Sequence, residues 1–277
     1  MSTINLTTVG SNTFDAYLQE AEPVQKWCRK SDKQKSTGQG KNTVGQLIRS
    51  AGTLPETSLM LGVCADGMPL FINLFQVPVS PILITCGQGC GKTHHLQVLA
   101  DSAMQLQRKG NLEIAVLSFN PAEWSDLCDR PSNRHVILEH CTWYEPKAKK
   151  MIEGLTELAE RRRMRKDSDD DILLFLDDLE GLLDLDRESQ VNLRWLLEYG
   201  AQSHIWPIAT LDSDQSDGFD FWVEPFKTTI NGCAGRQMDA GFDKLQAGMV
   251  TSLLEPGEFS MPMGKRWLTY HLPMLGS

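Results

Sequence analysis

From Thr43 onward, short apolar runs of strand type alternate with stretches whose apolar residues recur at helical spacing. Leu59–Val63 and Pro69–Leu74 flank Asp66-Gly67, the signature of a hairpin between two short strands. Ile82–Thr85, Leu112–Ser118, His135–Leu138 and Ile205–Ala209 read as further strands, and the uniformly apolar Ile172–Leu176 reads as a central parallel one. Helices are predicted over His94–Arg108, over Lys147–Arg165 with Ile152, Leu155, Leu158 and Ala159 as the buried stripe, and over Val191–Tyr199. Beyond Phe226 the pattern returns to strands joined by Gly and Pro turns. Such alternation predicts an α/β fold, a mainly parallel central sheet flanked by helices.

Ahead of that region the pattern differs. Phe14, Tyr17, Leu18 and Ala21 suggest a short amphipathic helix within 13–29, disturbed by Pro23. Arg29–Asn42 then has no large apolar residue and sets Arg29, Lys30, Lys33, Lys35 and Lys41 against Asp32 alone. That composition suits a solvated tether or an arm that touches phosphates without reading sequence. The expected division is therefore 1–42, a helix with a basic linker that could carry a partner protein, and 43–277, the α/β domain.

With 277 residues, 41% hydrophobic and 23% charged, the chain can bury a sizeable core, which excludes wholesale disorder and fibrous folds. The apolar runs fall far short of the roughly 20 residues that cross a bilayer. The first ten residues lack the basic start and apolar stretch of an export leader, so a cytoplasmic protein is expected. Cysteines 28, 64, 86, 90, 128, 141 and 233 form no CxxC pair and no repeated spacing, which predicts no disulfide framework and a reducing compartment. His94 and His95 are adjacent and lack the spacing of metal ligands. A formal charge of −9 argues against coating nucleic acid with the whole surface but leaves room for a local basic channel.

The chemistry-bearing motif is Cys86-Gly87-Gln88-Gly89-Cys90-Gly91-Lys92-Thr93, between a strand and a helix. It fits GxxxxGK[ST] except that Cys86 replaces the first glycine. Glycines let successive backbone N–H groups face an oxyanion, and the following helix adds its positive end. Lys92 is expected to reach the β and γ phosphates of ATP, and Thr93 to ligate Mg²⁺. A carboxylate for the metal is expected at the end of a buried strand beside the loop strand, and Asp177 ends Ile172–Leu176. Asp178 would orient or deprotonate the attacking water, with Glu180 as the fallback base. The same two aspartates could instead cap a helix starting at Leu179. Thr210, closing Ile205–Ala209, could sense the γ phosphate or be structural.

These residues resemble the FtsK/HerA branch of the RecA-like P-loop ATPases. Leu61-Gly62, Asp66-Gly67, Pro69-Leu70 and Asn73-Leu74 match its strand pair before the loop. Ile82-Leu83-Ile84 leads into Gly89–Thr93, Arg161-Arg162-Arg163 resembles its helix before the second motif, and Ile172–Leu179 its Asp-Glu motif. Pro207-Ile208-Ala209-Thr210 is similar to the third nucleotide-site strand, and the likeness runs over about 58–272. It implies a Mg²⁺-dependent ATPase that assembles as a ring, expected to be a hexamer, and couples ATP hydrolysis to DNA translocation or packaging. Implied nucleotide contacts are Gly87, Gln88, Gly89, Cys90, Gly91, Lys92, Thr93, His94 and Thr210; implied metal ligands are Thr93 and Asp177; implied catalytic residues are Lys92, Asp178 and an arginine finger, for which Arg236 comes first and Arg194 second. The sequence departs from the family at Cys86, at Asp178 in place of Glu, at Leu211 in place of Gln and at Gly200 in place of Arg. These departures bear on hydrolysis more than on binding and favour, as the alternative, a nucleotide-gated assembly protein that hydrolyses weakly. A small-molecule or nucleotide kinase fits less well, because no arginine-rich lid follows the second carboxylate motif.

Overall fold

The computed structural model describes residues 42–55, 57–75, 80–106, 112–130, 137–165, 170–215, 218–233, 254–263 and 266–276. The helix expected within 13–29, the basic segment and Arg236 lie outside the described residues. The described chain opens on α1 (Val44–Ala51), a helix that the apolar pattern did not announce. Its start is written in a capping box: Thr43 Oγ1 accepts from the Gln46 amide and Gln46 Oε1 from the Thr43 amide. Val44 and Leu47 bury against Met60 and Val98.

Ten strands form one sheet. In chain order they are β1 (Ser58–Cys64), β2 (Pro69–Asn73), β3 (Ile82–Cys86), β4 (Leu112–Ser118), β5 (Ile137–Thr142), β6 (Asp171–Leu176), β7 (Ile205–Asp212), β8 (Thr228–Gly232), β9 (Glu258–Met263) and β10 (Arg266–His271). Their spatial order is β2-β1-β10-β9-β8-β3-β7-β6-β4-β5. The six from β8 to β5 run parallel, and β9, β10, β1 and β2 extend the sheet as antiparallel neighbours. The expected hairpin turn is present: Gly67 takes φ +84°, and Asp66 Oδ1 accepts from the Met68 amide.

Successive residues of a strand face opposite sides, so an all-apolar strand feeds two cores. On β6, Leu173 and Phe175 join Ile82, Ile84 and Trp206 beneath Leu96 and Leu99 of α2 (Lys92–Leu106). Ile172, Leu174 and Leu176 pack on the other face with Ile152 of α3 (Pro146–Arg165) and Leu193 and Leu196 of α4 (Arg187–Tyr199).

Two expectations about position are corrected. The carboxylate strand β6 does not lie beside the loop strand β3: β7 runs between them, with Ala209 in register with both Leu83 and Leu176. Strand β7 also continues past Ala209 to Asp212, so Thr210 lies inside the strand and Asp212 ends it. Smaller shifts occur at β5, which runs on past the expected end at Leu138 to Thr142, and at α4, which starts at Arg187 because Asp186 caps it through the Ser189 amide.

Candidate functional site

Strands β3, β7, β6 and β4 end at the same edge, and their last residues meet the head of α2. The loop between β3 and α2 turns through Gly89 (φ +75°) and Gly91 (φ +101°), values that a side chain would strain. Cys86 stands where a glycine was expected, and the room comes from across the sheet. A Cβ added at Gly232 of β8 would sit 2.6 Å from the Cys86 Cβ. Burial pushes the Cys86 thiol up to about 12, so it is a packing residue without thiolate character.

The cysteine expectation needs correction. Cys90, inside the loop, is disulfide-bonded to Cys233, which follows β8, across a sequence separation of 143. The Gly87 amide donates to the Cys233 carbonyl at 2.9 Å, and the Gly257 amide to the Cys90 carbonyl at 3.1 Å. Spacing along the chain could not announce a pair created by β8 lying next to β3.

Thr93 and Asp177 come together: Thr93 Oγ1 donates to Asp177 Oδ1 at 3.1 Å. Asp177 is almost wholly buried, and Thr210 Oγ1 (3.3 Å), Ser118 Oγ (3.3 Å) and Trp124 Nε1 (3.5 Å) also donate to its carboxylate. Trp143 Nε1 donates to its backbone carbonyl at 3.0 Å. Burial raises this carboxyl to about 6, with the neighbouring Asp178 charge adding to the shift and the Thr93, Trp124 and Ser118 hydrogen bonds opposing it.

Asp178 adopts φ 59°, ψ 90°, a strained conformation for a residue with a side chain, and its side chain does not cap the following turn. The helix-cap reading of Asp178 is thereby set aside. Its Oδ1 lies 3.5 Å from Lys92 Nζ, and its amide donates to Thr210 Oγ1 at 2.8 Å. Thr210 therefore joins the two acids, accepting from one residue and donating to the other. Glu180 faces the same group: its Oε1 accepts from the Asp212 amide at 3.0 Å, and its Oε2 is buried without a partner among the described residues.

Asp212 has no counterpart in the sequence reading. Its Oδ2 lies 3.0 Å from Lys92 Nζ, which is bound more closely there than to Asp178. Burial pulls the Lys92 ammonium down, but the Asp212 hydrogen bond and the charges of Asp178 and Asp212 outweigh it, leaving its pKa raised. Asp212, Ser118, Trp124 and Trp143 were all missed. Only Ser118, ending a predicted strand, carried a hint.

The other candidates sit apart. His94 Nε2 meets the Pro273 carbonyl at 2.9 Å, on the C-terminal segment. Arg194 is engaged within its own chain by Glu198 (2.6 Å), by Glu224 (2.9 Å), by the Phe221 carbonyl and by the Phe221 ring under its guanidinium.

No family model and no curated protein sequence matches the chain. Solved structures do. The cytoplasmic domain of the type VII secretion ATPase EccC from Thermomonospora curvata superposes with a TM-score of 0.65 at 14% identity, over 84% of this chain and 32% of that one. A monomer form of the pCW3 conjugation coupling protein TcpA, solved with ATPγS, gives 0.55 at 14% over 79% and 66%. B204, the DNA-packaging ATPase of Sulfolobus turreted icosahedral virus, gives 0.51 at 12% over 71% and 98%. The chain thus spans about a third of EccC and nearly all of B204. With a glycine loop closing β3 and paired acids closing β6, the chain has the RecA-like P-loop fold found in these secretion and packaging ATPases and in the coupling protein.

Proposed function

We propose that the chain is a Mg²⁺-dependent ATPase of the FtsK/HerA type that works as a ring oligomer and couples ATP hydrolysis to movement or packaging of DNA. One observation carries this reading: the Thr93 hydroxyl and the Asp177 carboxylate, from α2 and β6, stand 3.1 Å apart beside Lys92 and the glycine loop. Both are hard oxygen donors, and two protein ligands suit magnesium, which keeps several waters and takes the rest of its shell from phosphates. Bound there, the ion would offset charge on the β and γ phosphates.

The chain's own residues have distinct parts. Amides of the loop beyond Gly87, whose own amide is held by Cys233, receive the phosphates, and Lys92 supplies the mobile cation. Thr210 holds Asp177 and Asp178 in fixed relation, and Asp178 is the carboxylate that orients water. An arginine from a neighbouring subunit, with Arg236 as the candidate, would meet the γ phosphoryl. Residues 1–42 would engage a partner protein.

The second reading, a nucleotide-gated assembly protein with weak hydrolysis, draws on the pairing of Asp178 with Lys92. An acid tied to the loop lysine is poorly free to hold water until the lysine leaves.

Calorimetry with ATP and magnesium tests the shared premise. Wild-type protein takes up nucleotide and Lys92→Ala does not; equal uptake by both overturns the reading. Uptake without turnover that DNA stimulates selects the assembly protein.

A further inference from the structure

We propose that Asp212 is a positioning residue that sets nucleotide affinity by holding Lys92 in competition with the phosphates; the inference rests on the nucleotide reading above. The Asp212 carboxylate is aimed by its surroundings. Its strand position, in register with Cys86, places it beside the start of the loop. Its Oδ1 accepts from the Asp214 amide at 3.0 Å, and its own amide is fixed by Glu180 Oε1 at 3.0 Å. That leaves Oδ2 directed at Lys92 Nζ, 3.0 Å away.

Both partners are largely shielded from water, at 11% and 17% side-chain exposure, so the pair is not loosened as a surface ion pair would be. Lys92 thus rests between two carboxylates, the nearer being Asp212. Two of the three ammonium donors face these carboxylates, so phosphate oxygens compete with them for the lysine. Asp178 borders the metal pair, whereas Asp212 is fixed on a different strand and bonds neither Thr93 nor Asp177 among the described hydrogen bonds. Its negative charge near the loop opposes nucleotide twice, by retaining the lysine and by repelling phosphate. A ligand without enough charge to pull Lys92 away is thereby rejected. The Lys92 charge stays covered until a triphosphate arrives with its cation.

The test is a binding titration with a non-hydrolysable ATP analogue and magnesium. Asp212→Asn keeps the shape and the acceptor for Asp214 while removing the charge. Its Kd falls by about tenfold, the worth of one charge-assisted hydrogen bond. Asp212→Glu, which restores the charge, stays near wild type. Asp214→Asn removes an exposed charge two residues away without touching Lys92 and leaves Kd unchanged. A merely structural residue weakens binding when replaced, so a Kd in Asp212→Asn equal to or higher than wild type overturns the assignment. An equal gain in Asp214→Asn overturns it too, since the effect would then be a diffuse field. Should Asp212→Asn not fold, Asp212→Ser is read the same way. A wild-type chain that binds no analogue removes the nucleotide reading and this inference together; a wild-type chain that binds, with Asp212→Asn no tighter, removes this inference alone.

Discussion

Asp177, the proposed metal ligand, shows how a buried carboxylate is held at a cost in stability. Burial holds its pKa near 6, above its ordinary value of 3.8, so the folded state binds that proton more tightly than the unfolded chain does. The associated stability is present in full below about pH 4 and is lost as pH rises through 6. Above that, folding carries a buried charge that its hydrogen bonds only partly offset. The effect of Asp177→Asn on the stability of the nucleotide-free protein should therefore be more favourable at pH 7.5 than at pH 4, by on the order of 2 kcal/mol. Thermal melts at both pH values without divalent cations check it; an effect of equal size at both rules out the charge as the cause. The same substitution should remove the magnesium dependence of nucleotide uptake. The position of Asp177 was legible in the sequence because it directly follows the uniformly apolar run Ile172–Leu176. Asp212 was not legible, because an acid three residues beyond Ala209, where the expected strand ends, looks like ordinary solvated chain.

At the scale of elements, the loop is braced from the antiparallel side of the sheet. Gly232 gives Cys86 its space, the Gly257 amide holds the Cys90 carbonyl, and Cys233 is bonded to Cys90. The disulfide closes a span of 143 residues, so the loop-entropy account assigns it about 5 kcal/mol. Reductant, or Cys233→Ser, should lower the melting temperature markedly, and reductant should add nothing to Cys233→Ser. An unshifted melt in reductant would mean that the bond constrains nothing. Helix α2 is fixed on the same side by His95, wholly buried 4.4 Å from the Phe259 ring and 5.7 Å from that of Tyr270. Burial holds the His95 imidazole at about 3, neutral throughout the physiological range. In the sequence His94 and His95 look equivalent; only the fold separates a histidine facing the C-terminal segment from one locked in a core.

For the whole molecule, the question is where DNA could touch a chain with a net charge of −9. Lys147 is paired with Glu139 at 3.2 Å, and Lys149 with Asp186 at 3.0 Å and Glu188 at 3.5 Å, so the start of α3 offers less free positive charge than its composition suggests. The proposed DNA contact then falls more heavily on the basic residues of 29–41. Turnover stimulated by DNA should decline steeply between about 50 and 200 mM salt, as counterion release requires, and should decline further when Lys30, Lys33 and Lys35 are replaced by Gln. Stimulation indifferent to both would exclude a DNA motor. No helix among the described residues is long and apolar enough to cross a membrane.

The sequence by itself determined the periodic elements, the glycine loop with Lys92 and Thr93, and the acid that closes the most apolar strand. Each is a local property, set by the preferences of neighbouring residues for a turn, a helix or a buried strand. Tertiary structure alone decided that β7 lies between β3 and β6, that Asp212 rather than Thr210 ends that strand on Lys92, and that Cys90 meets Cys233. Those are juxtapositions of segments far apart in the chain, and the lateral order of strands is fixed by packing two cores against opposite faces of one sheet, which residue spacing does not encode.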